Sequence, residues 1–217
     1  MGLSSFFSNF NLADFQITVC AVILALSVHE LCHGLVAYKL GDPTAKNAGR
    51  LTLNPLAHLD PLGLVCMVLF RFGWAKPVPI DMRYFRHPRR DMAIVAAAGP
   101  VSNLIFGTLC VFCYYLLVLY APATAFLSAM ATFFATLAVL NVGFAVFNLL
   151  PVPPLDGSRV VGLFLPQKWY WKIMQYERYI QVVVMLLLYL GVLTRPLAYA
   201  RQFVMNGIES FVRWILL

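Results

Sequence analysis

The chain has 217 residues, of which 61% are hydrophobic and only 12% charged, about half the charged fraction of an ordinary soluble domain. That excludes a mainly soluble fold and leaves little room for a separate soluble domain. The net charge of +7 comes from basic residues clustered at loops, as at the cytoplasmic flanks of membrane spans, with no stripe of Lys and Arg interleaved with aromatics, so no nucleic-acid partner is expected.

Residues 1–11 lack a basic n-region and a small-residue cleavage site, so they are not expected to form a removable signal peptide. Residues 15–38 are almost wholly apolar and long enough for a first span. Within them stands His29-Glu30-Leu31-Cys32-His33. Histidines four apart share one helix face, so both imidazoles can reach one metal ion. Glu30, beside the first, can take a proton from a metal-bound water, the HExxH arrangement of zinc hydrolases. Ionisable groups inside a lipid-spanning helix are costly and mark function. Lys39, Lys46 and Arg50 follow the span, which puts this side in the cytoplasm and the N-terminus outside. His29 lies roughly 15 Å from Lys39 along the helix, about half the hydrocarbon thickness.

Gly41-Asp42-Pro43 breaks the helix. Leu51, Thr52 and Leu53 alternate as a strand does, closed by Pro55. His58 and Asp60 follow; each is a polar group that could lie near the metal. For Asp60 the better reading is a helix N-cap with Pro61 at the first position; His58 stays open between the two roles. Residues 62–72 are apolar but too short to cross, as a re-entrant segment would be. The proline-rich stretch 74–80 reads as extended, and with 50–54 it is expected to form a hairpin-like pair dipping toward the active site. Arg83, Arg86, Arg89 and Arg90 then mark the cytoplasm and are expected to contact anionic lipid.

Residues 92–120 form a second span and 126–150 a third. The second carries Ala98-Gly99-Pro100-Val101-Ser102-Asn103, whose small residues allow close helix approach. After the third comes Pro151-Val152-Pro153-Pro154-Leu155-Asp156-Gly157; its prolines cannot continue a helix and set Asp156 in a rigid turn. Residues 180–193 are apolar but short. Residues 201–217 mix Arg, Glu and large apolar side chains and are expected to lie along the membrane surface as an amphipathic helix. The cysteines Cys20, Cys32, Cys66, Cys110 and Cys113 sit in apolar segments and read as buried free thiols. Cys32, three residues from His29, has a second reading as a thiolate ligand, less favoured than packing.

A catalytic zinc takes three protein ligands and leaves a position open. The third must come from another element at membrane depth. Asp156 is the best candidate and His58 the second.

The chain resembles the site-2 protease family of intramembrane zinc metalloproteases, in compact form without a PDZ or regulatory domain. The resemblance rests on His-Glu-Leu-Cys-His at 29–33, Asn-Pro-Leu-Ala-His at 54–58, Ala-Gly-Pro-Val-Ser-Asn at 98–103, and the run from Asn148 to Gly157. It implies that His29, His33 and Asp156 hold Zn2+, that Glu30 is the catalytic base, and that Asn148 holds the substrate backbone or the developing oxyanion. Asn103 and His58 match family motifs and are assigned to the substrate. Transmembrane protein substrates and the lipid bilayer are the partners implied, with the active site of this multi-pass cell-membrane protein open toward the cytoplasm. The expected fold is an all-α polytopic membrane protein: a three-helix catalytic core, further C-terminal helices and the hairpin-like segment, in one domain over 1–217 with the core at about 15–159. Two other readings remain: a zinc-binding membrane protein without protease activity, such as a transporter or binder, and a membrane zinc hydrolase of another substrate class. A transporter would show paired repeats and broken helices, and none is seen.

Overall fold

The computed structural model describes residues 12–60, 63, 76–122 and 124–217. The expected re-entrant segment at 62–72, apart from Gly63, and Cys66 within it lie outside the described residues. Eight α-helices are described: α1 (Leu12–Lys39), α2 (Thr44–Asn47), α3 (Pro88–Tyr120), α4 (Ala125–Asn148), α5 (Asp156–Gly162), α6 (Gln167–Gln175), α7 (Glu177–Tyr189) and α8 (Thr194–Leu216). Three of them, α1 from Phe15, α3 and α4, are long and apolar enough to cross a membrane. This is an integral membrane protein, and largely helical as expected.

Local chemistry sets the helix ends. Pro88 opens α3, where its missing N–H costs nothing, and Asp91 in the first turn accepts the His87 N–H at 2.9 Å. Thr124 caps α4 through its hydroxyl, which accepts from Leu127 N–H at 3.3 Å. Asp60 Oδ1 accepts from Gly63 N–H at 3.0 Å, the bond an N-cap makes.

α3 packs against both α1 and α4, and α5 lies on α3. The core joins Ala21 and Ala25 of α1 to Cys110 and Val111 of α3 and to Leu137, Ala138 and Val142 of α4. The two alanines lie one turn apart, so α1 approaches its neighbours closely at that face.

Two expectations are corrected. No strand forms among the described residues, and the expected hairpin-like pair is not seen among them. Residues 51–54 are instead a loop held by side chains: Thr52 Oγ1 accepts from Asn54 N–H at 3.0 Å, Asn54 Oδ1 from Leu56 N–H at 3.1 Å, and the Thr52 carbonyl from His58 Nε2 at 2.8 Å. Opposite it, Pro77 and Pro79 have no N–H to donate to a ladder. Apolar alternation was a true feature of 51–53, but its expected partner has no N–H at Pro77 and Pro79 and gives those of Lys76 and Val78 to the His58 carbonyl and to Glu30.

The C-terminal helix, expected along the membrane surface, packs on the spans instead. Met205 and Val212 of α8 are buried in the α1–α3–α4 core, Arg213 Nε donates to the Tyr115 hydroxyl at 2.9 Å, and the Tyr120 hydroxyl donates to the Leu216 carbonyl at 3.4 Å. Its amphipathic pattern is real, but the apolar stripe is used against α3 and α4. α7 and α8 meet at 85° through Gly191, whose φ of +74° suits a residue without a Cβ.

Candidate metal centre

The regular turn of α1 sets His29 and His33 one above the other, with ring centroids 4.5 Å apart and planes at 87°. Each ring is gripped from behind by α3. His29 Nδ1 faces Asn103 Oδ1 at 3.0 Å, and His33 Nδ1 faces the Val95 carbonyl at 2.8 Å. Both partners are acceptors, so each Nδ1 carries the ring hydrogen and each Nε2 is left as a lone pair. Pro100 supplies no N–H to the Ala96 carbonyl, which interrupts regular helix bonding next to Val95.

The two Nε2 atoms lie 2.9 Å apart. Asp156 Oδ2 lies 3.2 Å from His29 Nε2 and 3.4 Å from His33 Nε2, and it accepts no hydrogen bond. With both imidazoles neutral, three lone-pair atoms therefore converge on one point, an arrangement that is repulsive unless a cation sits between. Among the described residues this is the group of His, Cys, Asp and Glu side chains whose ligand atoms come together, all within 4.8 Å. Two neutral imidazoles and a carboxylate, set by a second layer of acceptors, fit a zinc ion with a position left open.

Close packing makes room for this cluster. Gly99 of α3 lies directly against the rings: a Cβ there would stand 2.6 Å from Cε1 of both His29 and His33. Gly157 does the same for Asp156, since a Cβ would stand 2.5 Å from the Leu150 carbonyl oxygen. The proline turn can then fold α5 against the end of α4, with Asp156 as its first residue. The far end of α5 is held by Arg89 of α3, whose Nη2 donates to the Gly162 and Leu165 carbonyls, each at 2.6 Å, and whose guanidinium lies 5.1 Å over the Tyr170 ring. Of the four arginines expected at lipid, Arg89 is thus taken up by the protein, while Arg83, paired with Asp81 at 2.6 Å, Arg90, paired with Asp91 at 3.1 Å, and Arg86 stay exposed.

The other site residues fall as follows. Glu30 Oε2 accepts the Val78 N–H at 2.9 Å. Asn148 is half-buried, and its side-chain NH2 donates to the Phe144 carbonyl at 3.0 Å, which leaves its second N–H free to donate. Asn103 is 0% exposed and His58 1%; the first is turned to His29 and the second to Thr52. Cys32 does not join the ligand group. Sequence reasoning missed the Val95 carbonyl, which no side-chain pattern announces, and read Gly99 only as helix packing.

Asp156→Ala is expected to lower bound zinc well below one per chain, read by metal analysis of the purified protein. Stoichiometric zinc would remove Asp156 from the ligand set.

The family model "Peptidase family M50" matches residues 17–192. A Bacillus subtilis (strain 168) protein named "Putative zinc metalloprotease YwhC" is 43% identical over 171 residues, covering 78% of each chain. "Putative zinc metalloprotease Rip2" of Mycolicibacterium smegmatis is 32% identical over 151 residues, 66% of this chain and 55% of that protein, so the chain spans just over half of Rip2. "Putative zinc metalloprotease MJ0611" of Methanocaldococcus jannaschii is 27% identical over 155 residues, 71% of this chain and 74% of its own. No solved structure matches significantly. With two imidazoles and a carboxylate closing on one point beside an HExxH glutamate, and the family model running through all of them, the chain belongs to peptidase family M50, the site-2 protease family of zinc metalloproteases.

Proposed function

We propose that this chain hydrolyses peptide bonds of membrane-spanning or membrane-associated proteins at a zinc ion held by His29, His33 and Asp156, with Glu30 as the base. The observation that supports it most is the convergence of His29 Nε2, His33 Nε2 and Asp156 Oδ2 next to a carboxylate on the same helix. When bound, zinc supplies Lewis acidity, polarising a carbonyl and bringing the pKa of water toward about 7.

The chain's own groups do the rest. Glu30 takes a proton from the attacking water and delivers it to the leaving amine. The free N–H of Asn148 donates to the oxyanion as charge develops there, a contact type worth roughly 3 kcal/mol where measured. Asn103 and the Val95 carbonyl act on the imidazoles, holding both Nε2 atoms forward. His58 we read as a loop-holding residue, since its ring bonds Thr52. A helical substrate must unwind before its carbonyl carbon can be attacked, because its own hydrogen bonds cover it. The basic residues after α1 and before α3 support an N-terminus outside the cell and a site open to the cytoplasm. The whole chain acts as a single membrane-embedded domain.

The test compares membranes from cells carrying the native protein and Glu30→Gln. Uncleaved single-span proteins are expected to accumulate in the variant. Indistinguishable membrane proteomes would refute the proposal.

A further inference from the structure

The segment 76–81 crosses the HExxH face of α1 as an extended strap. It is anchored at both ends. Upstream, Lys76 N–H donates to the His58 carbonyl at 2.8 Å, and the buried Arg50 reaches the Ala57 carbonyl and, at 3.4 Å, the Lys76 carbonyl. Downstream, Asp81 N–H donates to Asp42 Oδ2 at 2.7 Å. Asp42 is itself 0% exposed and held by Thr44 N–H at 2.9 Å. Midway, Val78 packs toward Gly34, where a Cβ would stand 3.3 Å from Val78 Cγ1.

Between the anchors the strap reads Pro77-Val78-Pro79. Prolines carry no N–H, so Val78 holds the single backbone donor of these three residues. Pro79 also biases Val78 to an extended backbone, which holds the direction of that donor. It is aimed at Glu30 Oε2, 2.9 Å away, and this is the hydrogen bond Glu30 makes among the described residues. One carboxylate oxygen is thereby fixed, and the other accepts no hydrogen bond among the described residues.

We propose that the Lys76–Asp81 strap is a positioning element for the catalytic base, and that its working atom is the Val78 amide. This rests on the reading of Glu30 as base. Two prolines remove the neighbouring donors that would offer Glu30 a second, shifted partner. The motifs around His58 and Asp42, which the ligand set does not use, serve as the two anchors. A bond to one oxygen holds the carboxylate plane, so the other meets the water's proton at a set distance and angle. A mobile glutamate would bind substrate and metal equally well but transfer the proton more slowly.

The test is a backbone ester: Val78 is replaced by its α-hydroxy analogue through nonsense suppression, which deletes the N–H and leaves the side chain. The same replacement at Ile80, whose N–H makes no hydrogen bond among the described residues, sets the baseline. Zinc-loaded proteins are reconstituted in liposomes with a single-span peptide bearing a fluorophore and a quencher on either side of its span. Relative to the Ile80 ester, the Val78 ester is expected to lose about ten- to a hundred-fold in kcat, the range for a hydrogen bond to a charged group, with KM within about twofold. Zinc should stay at one per chain by metal analysis. A kcat equal to that of the Ile80 ester, or a loss of zinc, would overturn the proposal. Glu30→Gln runs alongside: if it still turns over, the base itself is misassigned. If it is inactive while the Val78 ester turns over as fast as the Ile80 ester, the strap inference alone falls.

Discussion

Glu30→Gln is expected to keep one zinc per chain and lose turnover by about 10²–10⁴-fold, the share that a positioned general base contributes. The geometry makes this substitution clean. The amide oxygen of the new side chain could still accept the Val78 N–H, which Glu30 holds at 2.9 Å, so the side chain would stay in place. The ligand atoms of His29, His33 and Asp156 are untouched. What disappears is a group able to accept a proton, since an amide oxygen is hardly basic. Cleavage of the reconstituted single-span peptide checks the rate, and metal analysis checks the site. Native-like turnover with zinc bound would remove Glu30 from the proton transfer.

Gly99→Ala is expected to weaken zinc binding at least about a hundred-fold, a large effect for one methyl group. Substitutions in the layer behind metal ligands cost roughly 10- to 100-fold, and this one strikes the ligands themselves. A Cβ at Gly99 would stand 2.6 Å from Cε1 of both rings, far inside contact distance. The rings cannot swing aside freely, because their Nδ1 atoms are held by Asn103 and Val95. Moving α3 away from α1 instead would open the packed core around Ala21, Ala25 and Cys110, and such overpacking costs about 1–3 kcal/mol. Titration with zinc against a competing chelator measures the affinity, and circular dichroism reports that the helices persist. Unchanged affinity would show that the helices separate at little cost.

How much of this was legible beforehand follows from the range of each interaction. The spans were readable because length and hydropathy are local, and so was the His29–Glu30–His33 face, because helical periodicity is the same in any helix. Asp156 could be ranked first, since a proline turn at the end of a span is a feature of neighbouring residues. The hairpin was misjudged for a related reason: alternation at 51–53 is local, while strand pairing depends on donors elsewhere, and there Pro77 and Pro79 have none while Lys76 and Val78 give theirs to His58 and Glu30. The surface placement of α8 failed because an amphipathic stripe does not say what covers it; here it is α3 and α4.

By itself, then, the sequence determined the solvent this protein lives in, the shared helix face of His29 and His33, and the candidacy of Asp156 in the turn after the third span, a residue that the structure makes the first of α5. Only the tertiary structure decided which atoms face which. Asn103 on His29, Val95 on His33, Gly99 between the rings and Val78 on Glu30 each join residues far apart in the chain. Two are backbone groups, a carbonyl that every residue presents and an N–H that only the prolines lack. Their roles come from where the packing of α1 on α3 places them, and that is set by the whole set of contacts at once.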